Sequence, residues 1–84
     1  MPTFYFHSKN GDAVTRDHDG ITVAGLKAAR AEAILTFAEM LREDNQESLW
    51  AGKPLRLWVT DKPDDAGKPL FSLRATATAG SRIR

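Results

Sequence analysis

One amphipathic helix, roughly Leu26 to Arg42, lies between two stretches that alternate like β-strands, and this layout limits the folds open to the chain. Leu26, Ala29, Ala33, Phe37 and Met40 recur at the three-and-four spacing that lines one side of a helix, flanked by Ile34 and Leu41. Upstream, Phe4 and Phe6 alternate with Tyr5 and His7. Downstream, Leu55, Leu57 and Val59 alternate with Arg56, Trp58 and Thr60. A helix must bury its stripe and a sheet one face, and a two-layer domain satisfies both.

Turn chemistry divides the rest. Thr3 to Ser8 reads as a strand, and Asn10-Gly11 as a hairpin turn, because both residues tolerate positive φ. Ala13 to Arg16 then returns antiparallel to the first strand. Asp17-His18-Asp19-Gly20 is a second turn, after which Ile21-Thr22-Val23 adds a few extended residues. Gly25 is the best available cap for the helix, although Gly ranks below Ser, Thr, Asp and Asn there. Asp44-Asn45 dissolves the helical pattern, Leu49-Trp50-Ala51 forms a short turn, and Gly52-Lys53-Pro54 ends it. Leu55 to Thr60 is the next strand, and Asp61 to Pro69 is turn chemistry longer than a tight hairpin needs. Leu70 to Ala77 is the last strand, with Phe71, Leu73, Ala75 and Ala77 on one face; Gly80 to Arg84 reads as a frayed basic tail.

The expected fold class is therefore α+β. A four-stranded, mostly antiparallel sheet in the order β-β-α-β-β carries one long helix packed on one face. Its expected core is Phe4, Phe6, Leu26, Ala33, Phe37, Met40, Leu57, Val59, Phe71 and Leu73. At 84 residues the chain makes one domain. Domains of this size bury only about 60–65% of their unfolded surface and are marginally stable. With no cysteine, disulfides cannot compensate, and neither thiol chemistry nor a cysteine-based zinc site is open to it. No signal peptide or membrane-length apolar run is present, so the expectation is a cytoplasmic protein without membrane contact.

The net charge of +1 conceals a split. Residues 1–47 carry −3 and residues 48–84 carry +4. Such a dipolar chain falls short of the strong basic patch of a typical nucleic-acid binder, yet suits association with its own kind or a charged partner.

Four short patterns run through the chain: Pro2-x-x-Tyr5-Phe6-His7, Asp17-x-x-Gly20, Ala28-Ala29-Arg30-Ala31-Glu32-Ala33 and Val59-Thr60-Asp61. Together they resemble a family of small alphaproteobacterial proteins classed as a domain of unknown function. The resemblance extends to about Leu73 and implies a compact intracellular bacterial domain, with no activity, cofactor or site attached. Members often place an acidic residue before the helix-opening leucine, where this chain has Gly25. The long turn from Asp61 to Pro69 and the basic tail are further departures.

The candidate functional residues are on two surfaces. If Phe4, Phe6, Leu57 and Val59 face the helix, then Tyr5, His7, Arg56, Trp58, Arg74 and Thr76 point away from it. Aromatics among arginines on an open sheet can stack single-stranded bases, and they equally form protein contacts, where Trp, Tyr and Arg dominate. Trp58 should then lie partly exposed, or be covered by a second chain, the tail or Trp50. On the helix, Ala28, Ala31, Leu35 and Ala38 form a second apolar stripe centred on Leu35. It is either a solvated surface or one covered by Leu49-Trp50 or another chain.

Other clusters read as structural. Asp12, Asp17 and Asp19 with His18 are turn residues that lack calcium-loop spacing, and His7 belongs to no metal-ligand pattern. Arg30 falls inside the apolar stripe, so it must snorkel or find a carboxylate; an ion pair with Asp17 or Asp19 that fixes the turn to the helix is expected in preference to anion binding. No phosphate loop, Ser-His-Asp set or paired carboxylates can be defended, and no cofactor is implied. The expected function is a non-catalytic, self-associating protein-interaction module, its partner a second copy or another protein. The alternative is a single-stranded nucleic-acid-binding module using the outer sheet face.

Overall fold

The structure is a computed structural model that describes residues 1–43, 46–65 and 67–78. The first strand, β1 (Thr3–Asn10), turns into β2 (Ala13–Thr15), and a short β3 (Ile21–Thr22) follows. Then come α1 (Leu26–Glu43), α2 (Gln46–Trp50), β4 (Leu55–Thr60), a 3-10 turn at Pro63–Asp65, and β5 (Pro69–Ala75). All strand pairs are antiparallel. The sheet runs β2-β1-β4-β5, and β3 shares with β2 the free edge of β1. This is the expected α+β architecture. The Asp44-Asn45 helix end and the Gly80–Arg84 tail lie outside the described residues.

Register follows the period-two pattern. Phe6 is opposite Val59, Val59 opposite Phe71, and Leu57 opposite Leu73, so these side chains share the face under α1. Leu70 is extra in β5 at an irregularity between Val59 and Thr60, a bulge that lets Thr60 face Pro69. Ala29, Ala33 and Phe37 of α1 bury against Phe4, Leu55, Leu57 and Val59. Phe6, Met40, Leu49, Phe71 and Leu73 pack around them, half-buried. The alanines keep α1 close to β4, and Phe37 fills the space beyond them.

Leu26 departs from the expected core. It shares the stripe's side of the helix but is 40% exposed, because the cover over the stripe begins only at Ala29. Leu55, left off the expected core, is 1% exposed. The expected ion pair of Arg30 with Asp17 or Asp19 is corrected: Arg30 is exposed, and both oxygens of Asp17 are held by backbone donors instead.

The element ends obey local chemistry. Ala29 N–H donates to the Gly25 carbonyl at 3.0 Å, which makes Gly25 the cap of α1. At α2, Lys53 N–H bonds to Ser48 C=O and Gly52 N–H to Leu49 C=O, with Gly52 at φ +95°: a Schellman ending. The first hairpin sits one residue later than Asn10-Gly11 suggests. Asn10 pairs with Ala13, and Gly11 and Asp12 form the loop. Only Gly11 has positive φ, the pattern of a II′ turn.

Candidate functional site

The outer sheet face consists of three cross-strand rows. Tyr5, Thr60 and Pro69 form the first, His7, Trp58 and Ser72 the second, and Lys9, Arg56 and Arg74 the third. The alternation thus placed Tyr5, His7, Arg56, Trp58 and Arg74 on one face, as expected. Their exposure differs sharply. His7 and Thr60 are 0% exposed and Trp58 only 6%, whereas Lys9, Arg56 and Arg74 lie open to solvent.

The closed end is held by a hydrogen-bonded chain. Asp17 N–H donates to His7 Nδ1 at 3.1 Å, so the ring proton sits on Nε2, which donates to Thr60 Oγ1 at 2.8 Å. The Thr60 hydroxyl in turn donates a hydrogen bond to the Lys62 carbonyl at 2.7 Å. His7 therefore ties β1, the Asp17 turn, β4 and the segment after β4 together. The Asp17 side chain fills the gap that β2 and β3 leave along the edge of β1. Its Oδ2 accepts from Phe6 N–H at 3.0 Å, and its Oδ1 accepts from Asp19 and Gly20 N–H, each at 3.1 Å. Asp64 N–H in turn donates to the Asp17 carbonyl at 2.9 Å, and His18 pairs with the Asp64 carboxylate at the surface.

Gly20 is required where this turn meets β1. It has φ +72°, and a Cβ there would sit 2.7 Å from Thr3, 2.8 Å from the Tyr5 ring and 2.9 Å from the Phe4 carbonyl. Trp58 packs at 5.7 Å between ring centroids against His7, and the Arg56 guanidinium lies 4.7 Å from its ring centre. The expectation of a partly exposed Trp58, or one covered by a second chain, is thus corrected, while the tail, its other expected cover besides Trp50, lies outside the described residues. Contacts within the chain bury it.

Burial pushes the Asp17 carboxyl upward, but the three N–H donors outweigh it and hold the group below the ordinary aspartate range. The folded state therefore gains stability that is complete above the ordinary aspartate value and is lost as pH falls through the lowered one. Asp17→Asn should cost about 1–2 kcal/mol at neutral pH, because an amide cannot accept at both oxygen positions. The variant's melting temperature should also fall less steeply than the parent's in acid, which thermal melts across pH would read.

The open end is cationic. Lys9, Arg56 and Arg74 stand side by side on three adjacent strands. With Lys53 and Ser72 they line a cleft of about 560 Å³ beside the hairpin loop. Asp12 at its rim accepts from Lys53 Nζ at 2.8 Å, and this hydrogen bond with the ammonium holds its carboxyl below the usual range. Sequence reasoning singled out Arg56 and Arg74 but not Lys9. Its signal was available in the alternation of β1, one step beyond the strand end placed at Ser8.

Leu35 lies away from the sheet, 61% exposed. Leu49 packs into the core and Trp50 is 63% exposed, so neither covers the outer side of α1. Asp12, Asp17 and Asp19 do not converge. Among the described residues no three His, Asp or Glu side chains are grouped to hold a metal ion.

A family model described as "Domain of unknown function (DUF6894)" matches residues 3–76. The chain belongs to that family. Both ends of the outer face, and all of α1, fall inside the DUF6894 span. Searches of curated proteins and of solved structures return no match. No described helix of this DUF6894 domain is long and apolar enough to cross a membrane.

Proposed function

We propose that this domain is a non-catalytic protein-interaction module of the bacterial cytoplasm that self-associates through the outer side of α1. The bare apolar stripe on that helix carries the reading. Leu35 is 61% and Ile34 56% exposed, with Ala31, Ala38 and Leu41 also open. Ala28, Ala31, Leu35, Ala38 and Arg42 repeat at alternating three and four, the spacing of a helix seam. Small residues in such a seam allow a second helix to approach closely, and an identical helix offers the matching repeat. The non-catalytic reading rests on His7 being sealed in a satisfied network and on His18 being tied to Asp64 at the surface.

Light scattering over a concentration series tests this. The parent should pass from monomer to dimer as concentration rises, and Leu35→Glu should stay monomeric with a melting temperature close to that of its monomeric parent. A parent that stays monomeric throughout, or a Leu35→Glu dimer, refutes it.

The alternative, a single-stranded nucleic-acid module on the outer sheet face, retains Arg56 and Arg74. It loses its stacking platform, because Trp58 is buried and Tyr5 half-buried. The two readings separate by salt: phosphate binding weakens steeply with ionic strength, and an apolar helix seam does not.

A further inference from the structure

The charges of the cationic row stand against one another, although Arg56 also packs on Trp58. Like charges directly opposite each other on neighbouring strands are destabilising, and Lys9, Arg56 and Arg74 occupy three such positions in succession. No ion pair of the described residues neutralises any of the three; the cleft's one carboxylate, Asp12, is bonded to Lys53. The Arg56 guanidinium carbon lies 4.7 Å from the centre of the Trp58 ring, a contact that restrains the side chain at the cleft. The backbone positions of the row span two interstrand spacings, about 10 Å, a width over which phosphates joined in series can meet all three side chains.

We propose that the cleft between the first hairpin loop and the open end of β1, β4 and β5 binds linked phosphates, with Lys9, Arg56 and Arg74 as the contacting cations. Lys53 is the fourth cation, recruited from Asp12 when the anion arrives. Guanidinium and ammonium donors supply charge-assisted hydrogen bonds to phosphoryl oxygens, and the Ser72 hydroxyl supplies a neutral one. The ligand's charge removes the repulsion within the row, so occupancy stabilises the fold. This goes beyond self-association and rests on the face of the sheet opposite α1, so either can fail without the other.

The test is calorimetric titration of the full chain with inorganic pyrophosphate at low ionic strength, paired with thermal melts. Saturable binding is expected, with a rise in melting temperature on addition of pyrophosphate. Lys9→Gln and Arg74→Gln should each weaken it about tenfold while melting no lower than the parent, since each relieves the like-charge row. Asp12→Asn should tighten it, and Lys27→Gln, on the helix, should leave it unchanged.

A short oligothymidylate then identifies the source. Oligonucleotide binding that pyrophosphate displaces assigns the site to a nucleic-acid backbone, and pyrophosphate binding alone assigns it to a small phosphate ester; both uphold the linked-phosphate site. No pyrophosphate binding would overturn the proposal. So would full affinity in Lys9→Gln or Arg74→Gln, no gain in Asp12→Asn, equal loss in Lys27→Gln, or oligonucleotide binding that pyrophosphate leaves untouched.

Discussion

Replacing His7 by alanine should cost about 3–5 kcal/mol and unfold much of the population at physiological temperature. Two effects add. The ring is fully buried against Trp58, so its loss leaves a cavity and uncovers the indole. The half-buried Asp17 N–H also loses its acceptor, a penalty at the lower end of the roughly 1–3 kcal/mol for an unpaired buried donor. Thr60 fares better, because its hydroxyl still donates to Lys62. His7→Phe separates the terms: it keeps a ring beside Trp58 and forfeits both hydrogen bonds, so it should fall between parent and His7→Ala. Chemical denaturation of the three proteins would show the order, and a His7→Ala midpoint equal to the parent's would mean the network does not hold the turn.

Phe37→Ala should be as severe, about 3–5 kcal/mol. Phe37 is the one large side chain among the buried residues of α1, the others being Ala29 and Ala33. The sheet cannot collapse into the space that Phe37 leaves, because Leu55, Leu57 and Val59 are fixed by β4, itself paired on both edges. For a chain of 84 residues total stability is about 4–13 kcal/mol, so this one loss removes a large share. The expected fall in melting temperature exceeds about 12 °C. A variant melting within a degree or two of the parent would refute the core assignment.

The fold was legible because two periodicities carry it. Phe4, Phe6, Leu57, Val59, Phe71 and Leu73 alternate cleanly, and their register in the sheet follows from that alone. Ala29, Ala33 and Phe37 likewise mark the buried side of α1. What the pattern does not supply is cover. Period two placed His7, Trp58 and Thr60 on the outer face, but it does not reveal that the Asp17 turn bonds to His7 and the segment after β4 to Thr60. Those segments act through Asp17's carboxylate, the Asp17 N–H and the Lys62 carbonyl, groups without apolar periodicity. The surplus length between Asp61 and Pro69, and a histidine and threonine inside strands, were the available signals. Lys9 was missed for a simpler reason: β1 runs to Asn10, two residues past the expected strand end.

On the proposed self-association, Trp58 of the outer sheet face belongs to the fold, and the aliphatic Leu35 side of α1 meets the second copy. Trp50→Phe leaves Trp58 as the single indole, replacing a side chain that is 63% exposed. Its fluorescence quenching by acrylamide, followed while the protein is diluted from dimer to monomer, tests the assignment most directly. A weakly quenched indole whose accessibility stays constant on dilution is expected, because its own chain seals it. Quenching that climbs as the dimer dissociates would put the sheet face in the interface and contradict the account.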